Sequence, residues 1–260
     1  NRTSGHTLPV MTQLNHYQTR HSAGHAQHSA ERADPRPAQH RNSSPARPGR
    51  TASGETATHS LGTTVVGVTA ANAVVLATDR RASLGGAVSS KSVQKISLVG
   101  DAAVAFTGSV AGAQDLTEEL RQERSLYELR RDTTMSVEAL ASLTGRVMAS
   151  QPRRVQHLLA GVGDDGPRLY SFDANGGALD QPFAADGTGG QTAYGALEAA
   201  YEEGIDRDAA RRLAARAVRA ATERDLASGN GLCLAVLDRS EPTVETFDDY
   251  DPASADASRS

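Results

Sequence analysis

Cysteine is almost absent from this 260-residue chain. Cys233 stands alone, which excludes an internal disulfide framework and fits a reducing cytosol. Long apolar runs are missing too: no window approaches the roughly 18 consecutive apolar residues that a membrane span needs. The basic N-terminal stretch has no apolar h-region, which excludes a secretory signal. Histidine is scarce where it would matter for catalysis. Seven of the eight fall in residues 1–62, leaving His157 as the only one beyond them. Lysine is scarcest of all, with Lys91 and Lys95 alone among 27 basic residues. That skew towards arginine, with much alanine, points to a GC-rich genome and a salt-adapted archaeon.

What is present divides the chain at Leu61-Gly62. Residues 1–62 carry seven Arg against three acids, a net of +4, with five of the ten prolines and hardly a large apolar side chain. Such a segment buries too little surface to offset its ordering entropy and is expected to be disordered. Its histidine spacings match no structural metal site, so no metal is expected there. Residues 63–260 hold 20 basic and 28 acidic residues, a net of −8. An acidic body argues against nucleic acid as the main partner.

Beyond the junction the pattern changes to short β-branched runs. Residues 63–69 and 73–78, with Ala71-Asn72 between them, read as two antiparallel strands buried on both faces. Residues 95–99 and 102–107 form a second pair. Ala113, Leu116, Leu120 and Tyr127 then recur at helical spacing. So do Val137, Leu140, Leu143 and Val147, behind Ser136 as N-cap and a Met135/Leu140 staple. Strands resume near 156–162, 168–173 and 181–185. Helices follow at 191–203 and, capped by Asp206, at 206–225. Strands at 232–237 and 244–247 close the chain, and from about 248 an acidic tail is expected to be mobile. Paired strands alternating with paired helices predict an α+β sandwich, two stacked antiparallel sheets between helix layers.

Gly187-Thr188-Gly189-Gly190 lacks the Gly-Lys-Ser/Thr ending of a phosphate loop. His157 sits inside an apolar strand and reads as structural, so a Ser-His-Asp triad is hard to build. A free α-amino group can replace a histidine base, but only at a chain terminus. Gly62-Thr63 would supply one if the chain were cut there. Taken alone, Thr63 reads as an ordinary threonine at a strand start.

The surrounding residues change that. Asp79 lies 16 residues after Thr63 in Thr78-Asp79-Arg80-Arg81, and Lys95 lies 16 further on. Thr107-Gly108-Ser109 and, late in the chain, Arg224-Asp225-Leu226-Ala227-Ser228-Gly229 complete the set. Over essentially all of 63–240 the sequence resembles the proteasome β subunits, above all the archaeal form. The resemblance implies an N-terminal nucleophile hydrolase fold, a four-layer αββα sandwich. It implies a threonine endopeptidase made as an inactive precursor, with residues 1–62 removed between Gly62 and Thr63.

Residue by residue, Thr63 matches the nucleophile and Lys95 the lysine that lowers its hydroxyl pKa. Asp79 matches the acid holding that lysine, and Gly108 the oxyanion donor. Asp225 and Ser228 match the pair orienting the amino terminus. Thr188 falls where the family usually has serine; it keeps the hydroxyl but adds a methyl that restricts its rotamers. Ala82, Val93 and Phe106 match pocket positions, and all are uncharged, which implies cleavage after apolar residues. The implied partners are β subunits in a seven-membered ring, α-subunit rings, an ATPase regulator and unfolded protein substrates, in the cytoplasm, with no cofactor. A non-catalytic β subunit is the rival reading, against which Gly62, Thr63, Asp79 and Lys95 speak together. A two-ring bacterial relative is another, disfavoured by the long leader and the Arg-Asp-x-Ala-Ser-Gly run. Arg212, Arg216 and Arg219 read as a solvated helix face or one meeting a neighbour's acids.

Overall fold

The computed structural model describes residues 60–84, 86–150 and 155–252. The expected disordered leader and its histidines lie, apart from 60–62, outside the described residues. Among the described residues thirteen strands and four helices follow in order: β1 (Ser60–Leu61), β2 (Thr64–Thr69), β3 (Val74–Asp79), β4 (Ala82–Leu84), β5 (Ala87–Ser90), β6 (Ile96–Val99), β7 (Ala102–Ser109), α1 (Val110–Arg131), α2 (Val137–Ser150), β8 (Val155–Gly163), β9 (Gly166–Phe172), β10 (Ala178–Asp180), β11 (Phe183–Gly187), α3 (Gly190–Glu198), α4 (Arg207–Thr222), β12 (Leu232–Leu237) and β13 (Thr243–Phe247). One antiparallel sheet runs β1-β7-β8-β9-β10, with β6 also paired to β7, a second runs β11-β2-β3-β12-β13, and β4 pairs with β5 alone.

Strand alternation builds the layers. On β2, β3 and β12, Val65, Leu76 and Cys233 face the opposite sheet, where they meet Ile96, Ala105 and Leu158. The intervening Val66, Val75 and Leu234 face Leu197 of α3 and Ala214, Ala217 and Val218 of α4. Because both faces are covered, β3 is buried along its whole length, as its unbroken apolar run predicts. On the far side, Val104 and Leu159 pack under Leu116 and Leu120 of α1 and Leu140 of α2. The result is the αββα sandwich expected from the sequence.

Capping sets the helix bounds. The Ser109 hydroxyl accepts from the Gly112 amide at 3.1 Å and begins α1. Ser136 accepts from Ala139 at 3.2 Å ahead of α2, and Asp206 from Ala209 at 2.8 Å ahead of α4. α3 ends at Glu198 rather than continuing to 203. Tyr201 still donates its amide to the Leu197 carbonyl, but its ring leaves the helix to pack on Phe183. Past β13, Asp248 pairs with Arg80 at 2.8 Å, and the Gly231 amide donates to the Tyr250 hydroxyl at 3.3 Å. Residues 249–252 share a cleft with Arg212, Arg216 and Arg219, which lie exposed along α4.

His157 is fully buried on β8, stacked on Phe172 with ring centroids 4.6 Å apart, and among the described residues neither ring nitrogen has a hydrogen-bond partner. Burial pushes its pKa down to about 4. An unfolded chain binds this proton near pH 6.5, whereas the native one resists it until about pH 4. Native stability therefore falls as pH drops through that window, by about 3 kcal/mol in total from this residue. His157→Leu removes the component. Denaturant midpoints measured from pH 7 to pH 4 should fall less steeply for the variant, and equal slopes would contradict the account.

Candidate active site

Register brings the distant motifs together. Thr63 immediately precedes β2, and the pairing of Thr64 with Gly187 puts Thr188 beside it. The antiparallel β2–β3 ladder pairs Val65 with Thr78, so Asp79 arrives across from Thr64. β12 pairs Leu232 with Asp79, which draws in the 225–230 loop. Lys95 precedes β6 in the other sheet and reaches across the interface.

The Asp79 carboxylate is the hub, buried and accepting from four donors. Lys95 Nζ at 2.8 Å and the Thr64 amide at 3.1 Å share Oδ1. The Gly229 amide at 2.8 Å and the Arg81 amide at 3.0 Å share Oδ2. Both side chains of the Asp79–Lys95 pair are wholly shielded from solvent. Burial lowers the Lys95 pKa, and the attraction and hydrogen bond of Asp79 oppose that shift.

Thr63 is buried, and its hydroxyl donates to the Gly62 carbonyl at 2.7 Å. A Cβ at position 62 would lie 1.9 Å from that of Ala227, and one at Gly187 would lie 2.0 Å from the Thr63 carbonyl oxygen. Only glycine fits at either place. The Thr63 amide donates to Thr188 Oγ1 at 3.2 Å, and Thr188 donates to Asp225 Oδ2 at 2.5 Å. Ser228 donates to the same oxygen at 2.6 Å. Thr188 thus links the Thr63 nitrogen to Asp225.

Gly108 lies on β7 with φ +100° and pairs with Leu61 of β1. β1 lies beside β4 as well as β7, so the residues before Thr63 run as an extended strand along the site. Ala82 and Phe106 meet in one apolar cluster with Ala113 and Val155, and Val93 packs against it. Hydrogen bonds thus tie Lys95 to Asp79, Asp79 to Thr64, and Thr188, Asp225 and Ser228 to the Thr63 nitrogen and the Thr64 hydroxyl; Gly108 pairs with Leu61, and the expected pocket residues meet in one apolar cluster.

Sequence reasoning assigned no role to Thr64 or Arg81. Arg81 donates through Nε to Asn230 Oδ1 at 2.9 Å and through a terminal nitrogen to the Leu226 carbonyl at 2.7 Å, bracing the 225–230 loop. Its presence in Asp79-Arg80-Arg81 was the available signal. Thr64 gave none, because it reads as one more β-branched strand residue. Among the described residues no cluster of His, Cys, Asp and Glu could hold a metal ion, and no helix is long and apolar enough to cross a membrane.

Stacked sheets between helix pairs, with a threonine heading an inner strand, define the fold of the N-terminal nucleophile hydrolases. The family described as Proteasome subunit matches residues 59–237. The chain is 46% identical to a proteasome subunit beta of Halorubrum lacusprofundi over 192 residues, 73% of this chain and 79% of the relative. It is 44% identical to proteasome subunit beta 2 of Haloarcula marismortui over 195 residues, 74% of this chain and 85% of that one. The chain belongs to the proteasome subunit family, as a β-type subunit of archaeal kind, and is a threonine endopeptidase.

The buried pair is open to a stability test. Asp79→Asn leaves the Lys95 ammonium and three amide donors without an anionic acceptor, which costs about 3–5 kcal/mol. Adding Lys95→Met removes the stranded charge and should recover most of the loss. Denaturant unfolding of the two variants measures this; a double variant no more stable than Asp79→Asn would show that the pair does not constrain the fold.

Proposed function

We propose that the chain is the self-processing precursor of the catalytic subunit of a 20S proteasome core. It cuts itself between Gly62 and Thr63 and then hydrolyses unfolded proteins, preferentially after apolar residues. The observation that carries this reading is the Thr63 hydroxyl lying 2.7 Å from the carbonyl oxygen of the bond to be cut. Attack by that hydroxyl on the Gly62 carbonyl carbon, completed by water, leaves Gly62 as a carboxylate and Thr63 with a free α-amino group.

In the mature subunit Thr63 is the nucleophile and forms an acyl-enzyme, with its own α-amino group as base. Lys95 lowers the hydroxyl pKa, and Asp79 holds Lys95 in place. The Gly108 amide stabilises the oxyanion. Thr188, Asp225 and Ser228 orient the α-amino group. The pairing of Leu61 with Gly108 supports the oxyanion assignment, since it aligns the leader as a peptide substrate would add to a strand edge. Ala82, Val93 and Phe106 line the selectivity pocket, and the absence of charge among them favours apolar side chains. On this reading β subunits form a seven-membered ring stacked against α-subunit rings in the cytoplasm, with an ATPase regulator feeding the chamber.

Processing gives the first test. Mass spectrometry of the purified assembly should find a chain beginning at Thr63. Thr63→Ala should retain its leader and hydrolyse no peptide while still assembling, whereas Thr63→Ser should keep part of both activities. Equal loss in the two variants would assign Thr63 to packing rather than attack.

Lysine scarcity gives the second. Arginine serves nearly everywhere in this chain, so a lysine at 95 marks a place where a compact, titratable ammonium matters. Lys95→Arg, made in protein that already starts at Thr63, should lose activity on an apolar fluorogenic peptide by about a hundredfold or more. Lys91 is exposed, and Lys91→Arg should behave as the parent. Parent-like activity of Lys95→Arg overturns the assignment.

A further inference from the structure

Two sides of the site meet on Thr64. Its amide donates to Asp79 Oδ1 at 3.1 Å, and its hydroxyl lies 2.9 Å from Ser228 Oγ. Proton counting fixes the direction of the second contact. Ser228 has one hydroxyl proton and gives it to Asp225 Oδ2 at 2.6 Å, where an ionised carboxylate has none to return. The proton between Thr64 and Ser228 must come from Thr64. The same reasoning applies at Thr188. Its proton goes to Asp225 Oδ2 at 2.5 Å, so its oxygen is the acceptor for the Thr63 nitrogen at 3.2 Å.

The contacts form a closed circuit on two consecutive residues, Thr63 just before β2 and Thr64 at its start. It runs from the Thr63 nitrogen through Thr188, Asp225 and Ser228 to the Thr64 hydroxyl. Space around that hydroxyl is limited: a Cβ on Gly189 would lie 2.1 Å from Thr64 Oγ1. Thr64 and Ser228 are both shielded from water, so no solvent molecule replaces the donor if it is removed.

We propose that Thr64 is a positioning residue for the reaction, and that its hydroxyl, through Ser228 and Asp225, sets the orientation and basicity of the Thr63 α-amino group. The inference rests on the proposed role of that amino group as base. Without the Thr64 proton, buried Ser228 has an unmet acceptor, and its own bond to Asp225, no longer polarised by a donor on its oxygen, weakens. The Asp225 carboxylate then presents more negative charge towards the amino group and favours its protonated, inactive form.

The test uses assembled protein that starts at Thr63, comparing the parent with Thr64→Val, Thr64→Ser and Thr63→Ala. Valine keeps the shape and removes the donor. Thr64→Val should lower kcat about tenfold, leave KM unchanged and move the acid limb of the kcat–pH profile to higher pH. Thr64→Ser should follow the parent. A parent-like kcat and acid limb in Thr64→Val, or equal losses in Val and Ser, overturns the inference. Thr63→Ala separates the two readings. If it is inactive while Thr64→Val is parent-like, only the role of Thr64 fails; if it is active, the nucleophile assignment fails as well. Should Thr64→Val not assemble, Gly189→Ala crowds the same hydroxyl at a backbone conformation that alanine tolerates (φ −89°). The same shift of the acid limb then supports the inference, and an unshifted limb overturns it.

Discussion

The Asp79 carboxylate fixes where everything else in the site can be. Its four donors come from four parts of the chain: the start of β2, the turn after β3, the loop before β12 and the residue before β6. The first three belong to one sheet and its loops, and Lys95 belongs to the other. The ion pair can form only once the two sheets are stacked, so the chemistry depends on closure of the whole sandwich. Removing two charges from water costs several kcal/mol per ion, and their attraction offsets this only when the remaining lone pairs are also satisfied. Here three backbone amides, those of Thr64, Arg81 and Gly229, complete that requirement, with charge-assisted bonds of 2.8–3.1 Å. The pair is best understood as a source of geometry rather than of net stability.

A second carboxylate does a different task with a different partner set. Asp225 receives two hydroxyls on Oδ2 and the Ala227 amide on Oδ1 at 3.1 Å, and no ion pair of Asp225 is among the salt bridges of the described residues. Hydroxyls can both accept and donate, which amides and ammonium groups cannot. On the proposed reading, that is why a chain of them suits a nitrogen that would change from amide to amine on processing. Thr188 satisfies the same requirement as serine would, because the contacts at its position involve only the oxygen. Its extra methyl changes rotamer freedom and leaves the donor and acceptor unchanged.

Local rules explain how much could be read from the sequence. Buried strands and amphipathic helices follow from spacing alone, and β2, β3, β7, β8, β12, α1, α2 and α4 appear where the pattern puts them, within the few residues by which helix ends vary. The β4–β5 hairpin was not legible: Ala87–Ser90 is almost entirely exposed and has no apolar alternation to betray it. β10 is likewise exposed along its length. Within the site, Asp79, Lys95 and Asp225 stood out through charged residues set in short motifs. Thr64 did not, since what it contributes is a proton direction, and direction exists only after the partners are brought together by register.

The leader's last residues tie precursor and product to one geometry. Ser60 and Leu61 pair with Ser109 and Gly108, so the edge of β7 is occupied while the chain is intact. On the proposed reading this restrains activity in two independent ways. A strand already fills the edge that a substrate would use, and the Thr63 nitrogen, held as an amide, has no lone pair available to accept a proton. One bond cleavage relieves both, because the hydrolysed peptide is no longer tethered and the new amine is basic. The circuit through Thr188, Asp225 and Ser228 need not rearrange for this to happen. Its acceptor already faces the Thr63 nitrogen at 3.2 Å, so the base is generated in a position that the precursor has prepared.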